Sequence, residues 1–98
     1  MTIESKKDAG KLILTITGRI DTGTAPKLEE ILKESYDGIT GLVIDLAKVE
    51  YISSAGLRVL LSAQKIMNKQ GHMVIRNVNE DIMEIFEVTG FSDILDIE

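Results

Sequence analysis

The chain contains no cysteine and no tryptophan, and it has one proline and one histidine. Without cysteine there is no disulfide framework, no thiolate zinc site and no cysteine nucleophile, a pattern compatible with a reducing compartment. Aromatic residues make up 4% of the sequence, so the core must be built from Ile, Leu and Val, and there is no stacking platform for single-stranded nucleic acid. Clustered basic residues are missing as well: the net charge is −5 and no basic run exceeds the pair Lys6-Lys7. Because phosphate backbones are bound by grouped Lys and Arg, no nucleic-acid partner is expected. No apolar stretch approaches the ~20 residues that span a bilayer, and Met1–Asp8 lacks the apolar segment of a secretory signal. The expectation is a cytoplasmic protein without a membrane partner.

What is present suffices for one core. Ninety-eight residues, 44% hydrophobic and 28% charged, predict one folded domain over residues 1–98 with an ordinary polar surface. Thr2–Lys6, a turn at Asp8-Ala9-Gly10 and Lys11–Thr17, with Leu12, Leu14 and Ile16 alternating, read as a hairpin. Gly18–Thr22 is expected to follow that second strand. Thr22, Gly23 and Thr24 are candidate cap residues for a helix starting near Thr24, where Pro26 is tolerated in the first turn. Leu28, Ile31, Leu32 and Ser35 give that helix its stripe, and Gly38 lies beyond its end.

Gly41–Leu46 is a short apolar run that fits a strand buried on both faces of a parallel sheet. Val49–Gly56 is expected to follow it. From Ser54 to about Lys69 the helical period returns, with Leu57, Leu60, Leu61 and Gln64 on one face and Val59, Ala63 and Ile66 beside it, until Gly71 stops the helix. His72–Arg76 reads as a strand, Asn79 as the cap of a third helix carrying Ile82, Ile85, Phe86 and Thr89, and Ile94–Ile97 as a last short strand. The prediction is an α/β fold with a mostly parallel sheet of four to five strands, an N-terminal antiparallel edge hairpin and three to four helices. Functional residues in such sheets collect at the carboxyl ends of the strands, here Gly18–Thr22 and Val49–Gly56.

Ser53-Ser54-Ala55-Gly56 lies where a loop becomes a helix. A serine there caps the helix by accepting a hydrogen bond from a free amide. It can also accept phosphate, since the free amides and the helix dipole favour added negative charge. Neighbouring serines can divide these roles. A nucleophilic serine is poorly supported: Ile52 stands where the first glycine of Gly-x-Ser-x-Gly would be, and the single histidine, His72, lies beyond the second helix. Asp21 and Asp45 are the best-placed acids, but their spacing specifies no reaction. No phosphate-binding or dinucleotide glycine pattern and no metal-ligand set occur, so no cofactor or metal is expected.

Tyr51-Ile52-Ser53-Ser54-Ala55-Gly56-Leu57-Arg58-Val59-Leu60-Leu61, following Leu42–Leu46, strongly resembles the signature of STAS domains, specifically of bacterial anti-sigma factor antagonists. Gly18-Arg19-Ile20-Asp21 is similar to the family's Gly-Glu-(Ile/Leu)-Asp segment, Lys69–Met73 to its Lys-Gln-Gly-Gly turn, and Phe86–Phe91 to its Phe-x-x-(Thr/Ser)-Gly-(Leu/Phe) helix end. The resemblance runs the length of the chain. It implies a STAS-like fold and a protein-binding switch rather than an enzyme. The partner would be an anti-sigma factor that is a serine kinase, bound by the unphosphorylated antagonist and released on phosphorylation, with a metal-dependent serine phosphatase resetting the switch.

Aligned on Gly56-Leu57, the phosphoacceptor would be Ser54, and Asp21, Thr22, Ser53, Ala55, Gly56 and Arg58 would contact the partner. Two positions depart from the family pattern. Ser53 replaces the aspartate before the acceptor, and Arg58 replaces a small residue. Arg58, at i+4 from Ser54, could pair with a phosphate there or remain a solvated side chain. The loss of the aspartate keeps open a second reading, a STAS subunit of a transport or sensory complex that is never phosphorylated.

Overall fold

Ala9 and Gly10 both take positive φ, 48° and 88°, so the chain reverses in two residues, the geometry that suits the twist of a hairpin. In the computed structural model, which describes residues 1–98, this turn joins β1 (Thr2–Asp8) to β2 (Lys11–Ile20) in an antiparallel pair. There follow α1 (Ala25–Ser35), β3 (Gly41–Ile52), α2 (Ser54–Gln70), β4 (His72–Arg76), α3 (Glu80–Thr89) and a 3₁₀ turn at Phe91–Asp93. The sheet order is β1-β2-β3-β4, with β2–β3 and β3–β4 parallel. The predicted mixed architecture is what forms.

Because both parallel crossovers step the same way across the sheet, their right-handedness puts α1 and α2 on one face. The burial pattern agrees. Leu12, Leu14 and Ile16 of β2, Leu42, Ile44 and Leu46 of β3, and Met73 and Ile75 of β4 are buried in one cluster with Leu28 and Leu32 of α1, Leu60 and Met67 of α2, and Ile82 and Phe86 of α3. Their alternates, Thr15, Asp45, Val74 and Arg76, are partly exposed. The expectation that Gly41–Leu46 is buried on both faces is therefore corrected. Val43 is 6% exposed but stands outside the core cluster, flanked in register by Ile13 and Val74. Lateral packing between strands, not a second helical layer, accounts for the apolar run.

Three strand boundaries and the stripe of α2 also change. Gly18–Ile20 belongs to β2 and Val49–Ile52 to β3, because the two strands stay paired through register shifts as far as Ile20 opposite Ile52. Leu61 is only half-buried, and Met67, one turn beyond Ala63, takes its place in the stripe of α2. The last strand reduces to a single parallel bridge between Ile97 and Ile75, held by the Ile75 amide on Asp96 O at 2.8 Å and the Glu98 amide on Ile75 O at 2.9 Å. Ile94 and Leu95 do not extend it because their amides turn back onto the 3₁₀ turn, donating to Phe91 O at 3.0 and 2.9 Å. No helix is long and apolar enough to cross a membrane.

Candidate partner-binding site

β2 and β3 end side by side, and each leads into a helix, β2 through the turn Asp21–Thr24 and β3 through Ser53 alone. After β2, Asp21 organises the turn: its Oδ1 accepts from the Gly23 and Thr24 amides, both at 3.0 Å, and lies 3.1 Å from the Thr24 hydroxyl. The Asp21 amide donates to Thr24 Oγ1 at 2.8 Å, and that hydroxyl is 2.8 Å from Arg19 O. Thr24 occupies the N-cap position of α1, one of the three expected, but its hydroxyl makes no cap bond to the helix; the side chain that orders the turn ahead of it is Asp21. A carboxylate offers an acceptor to two amides at once, which a hydroxyl engaged with Arg19 O does not. The Thr24 amide, then the Thr24 hydroxyl, the Gly23 amide and the Arg19 charge, outweigh desolvation and hold the Asp21 carboxyl below its ordinary pKa.

After β3, Ser53 is fixed by its own amide donating to Ile20 O at 2.8 Å. With φ −90° and ψ 173° it is the N-cap of α2, and its hydroxyl accepts from the Gly56 amide at 3.3 Å. Ser53 is 8% exposed. Gly56 is required by space: a Cβ there would lie 2.7 Å from Ile20 Cγ2, 2.8 Å from Ile52 Cγ1 and 3.1 Å from Ile20 O. The missing side chain lets the first turn of α2 sit directly on the ends of both strands. Ser54, the first helical residue, is exposed.

The helix starts differ in charge. α3 has Glu80 and Asp81 in its first turn, α1 is preceded by Asp21, and α2 has a neutral serine cap and no acidic residue in its first turn. The first turn of α2 therefore carries no acidic side chain to offset the partial positive charge of its free amides.

Of the residues expected at the site, Thr22, Ala55 and Arg58 come together in an open groove of about 380 Å³, completed by Ala25, Pro26, Glu29 and Val59. Ser53 and Gly56 lie buried beneath it, Asp21 shapes its neighbouring turn, and Ser54 stands exposed beside Ala55. Ala25, Pro26, Glu29 and Val59 were not anticipated. Their signal is the helical spacing 22, 25, 26, 29 on one side and 55, 58, 59 on the other, two rows that run along the edge of the core and include its members Ala25 and Val59. Also unanticipated is the Arg19 guanidinium lying 4.5 Å from the centre of the Tyr51 ring. His72 begins β4 at the opposite end of the sheet from Ser54, out of reach as a general base. No group of three or more His, Asp or Glu residues is placed to hold a metal ion.

Residues 2–98 match the STAS domain family. The chain is 37% identical to the anti-sigma-B factor antagonist of Listeria monocytogenes over 102 residues, covering all of this chain and 89% of that one. Its fold is similar to that of an anti-sigma factor antagonist from Mycobacterium paratuberculosis, with TM-score 0.89, 26% identity and coverage of 98% and 83% of the two chains. It is also similar to the Bacillus protein SpoIIAA in its phosphorylated form, with TM-score 0.78, 10% identity and coverage of 99% and 91%.

Proposed function

This chain belongs to the STAS domain family, and from that premise we propose that it is an anti-sigma factor antagonist switched by phosphorylation of Ser54. Unphosphorylated, it binds a cytoplasmic anti-sigma factor through the start of α2 and the groove beside it; phosphorylated by that partner acting as a serine kinase, it lets go, and a serine phosphatase resets it. The chain itself acts by binding and carries out no catalysis.

The observation that carries this reading is the division of labour between the two serines. Ser53 is spent on the cap and buried, while Ser54 is exposed at the first helical position. A phosphate there adds about −1.5 to −2 charge at a helix start that has no acidic residue of its own. It therefore suits the free chain. It does not suit an interface closed over Ser54, where burying that charge unpaired costs several kcal/mol.

Ser54→Ala is expected to keep the fold and bind the anti-sigma factor permanently, whereas Ser54→Asp weakens binding by at least about tenfold, about 1.4 kcal/mol. Equal binding of the two variants in calorimetric titration refutes the switch. The absence of any mass increase at Ser54 with the cognate kinase would favour a fixed STAS subunit instead, as the serine at position 53 allows.

A further inference from the structure

β1 is the edge of the sheet and has no partner on its outer side. The two-residue turn fixes which of its backbone groups point there. Asp8 opposite Lys11 closes the hairpin, so residues 8, 6, 4 and 2 exchange backbone hydrogen bonds with β2. The amides and carbonyls of Ile3, Ser5 and Lys7 therefore point outward. An edge of this kind is usually blunted by proline, a bulge, extreme shortness or charged side chains. β1 has seven residues, contains no proline and pairs with β2 without a register shift; of those devices it carries only charge, at Glu4, Lys6, Lys7 and Asp8, and charge of both signs excludes a partner only where like charges meet.

Its charges are arranged as a self-complementary pattern about Ser5. We propose that β1 pairs antiparallel with β1 of a second copy, centred on Ser5, joining two four-stranded sheets into one. In that register Ser5 faces its own copy and Ile3 faces Lys7 of the second copy, all through outward-pointing backbone groups. Glu4 then faces Lys6 of the second copy, and Lys6 faces its Glu4. These are the non-hydrogen-bonded positions, where opposed side chains lie closest. Sliding the second strand by two residues in one direction opposes Lys6 to Lys6 and Glu4 to Asp8; in the other it opposes Glu4 to Glu4. Both slides keep the backbone bonds and set like charges against each other, so the charge pattern selects the Ser5-centred register. The two-fold axis through Ser5 sends the two copies of α2 to opposite ends of the joined sheet, so pairing leaves both Ser54 sites open.

Sedimentation equilibrium of the full chain at low salt tests this, over concentrations from about 10 μM to about 1 mM. The expected result is a monomer–dimer equilibrium within that range that weakens with salt. Glu4→Lys, which sets lysines against each other, should raise the dissociation constant at least about tenfold, and Glu4→Lys with Lys6→Glu should restore it to within about threefold. Ser5→Pro removes an outward amide, sparing the hairpin, and should abolish the dimer while the circular dichroism stays unchanged. A monomer at every concentration overturns the proposal. So does a dimer that Glu4→Lys leaves intact, or one that the double exchange fails to restore.

Discussion

The junctions from β2 to α1 and from β3 to α2 leave the sheet side by side, with Ile20 opposite Ile52, yet they are built differently. The first is held by a carboxylate: Asp21 takes two backbone amides on one oxygen and places its charge ahead of α1. The second is held by close packing and a neutral hydroxyl: Gly56 lies against both isoleucines, and Ser53 accepts one bond. The first helix start has a carboxylate bonded into the turn ahead of it. The first turn of α2 has no acidic residue, and that is the difference the proposed phosphorylation switch needs.

The sharpest contrast between the two is spatial. Gly23, in the first junction, has room: a Cβ there meets only Asp21 Oδ1 at 3.5 Å, an ordinary contact. At Gly56 the added carbon would have to displace two side chains that are 0% and 2% exposed, and it also crowds a backbone carbonyl. Overpacking of this kind costs about 1–3 kcal/mol, more than the gain of alanine over glycine in a first helical turn. Gly56→Ala should thus lower stability by about 1–2 kcal/mol in urea denaturation, while Gly23→Ala changes it by less than about 0.5 kcal/mol. Equal effects would mean that α2 is not seated on the strand ends as tightly as described.

The side chains that hold the two junctions differ in how they respond to acid. Ser53→Ala removes a neutral bond and should cost about 1 kcal/mol, within a usual range of ~0.5–2, at any pH. Asp21 contributes through its charge. Because its folded pKa is depressed, the stabilisation is present above the unfolded value of 3.8 and lost as pH falls through the folded value. The gap in Tm between the wild type and Asp21→Ala should therefore be open at neutral pH and close in strong acid, whereas the gap for Ser53→Ala persists. If the Asp21 gap survives full protonation, its role is steric and the contrast between a charged and a neutral junction collapses. Ser53→Asp should confer the same acid dependence on the second junction.

The same two junctions mark how far the sequence could be read. The β-β-α-β-α-β-α order was legible because each element declares its period: alternation at Leu12, Leu14 and Ile16, and helical spacing at Leu57, Leu60 and Ala63. Ser54 is singled out by the family resemblance, aligned on Gly56-Leu57; the residues alone say only that two adjacent serines at a helix start can divide the roles of cap and acceptor. The part Asp21 plays in the turn was missed because a carboxylate reaching forward across Thr22 leaves, in sequence, no mark beside the threonine that occupies the cap position. Strand ends at Ile20 and Ile52 were missed because bulges break the alternation that local pattern depends on. Which face of the sheet stays open depends on the direction of the crossovers, a property of the whole chain that the run Leu42–Leu46 does not contain.

The smallest expected effect tests whether the α2 start favours an anion at all. A phosphoserine titrates for the second time near pH 6, and both the unoccupied helix end and Arg58, exposed one turn along, favour the dianion. With Ser54 phosphorylated, ³¹P NMR titration should give a lower second pKa in the folded protein than in urea. An exposed i,i+4 ion pair is worth about 0.3–0.5 kcal/mol, so Arg58→Ala should recover about 0.2–0.4 of a unit of that depression. The remainder belongs to the helix amides and should survive the substitution. If folding does not lower the phosphate pKa, the neutral cap at Ser53 has no electrostatic consequence, and the two junctions differ in packing alone.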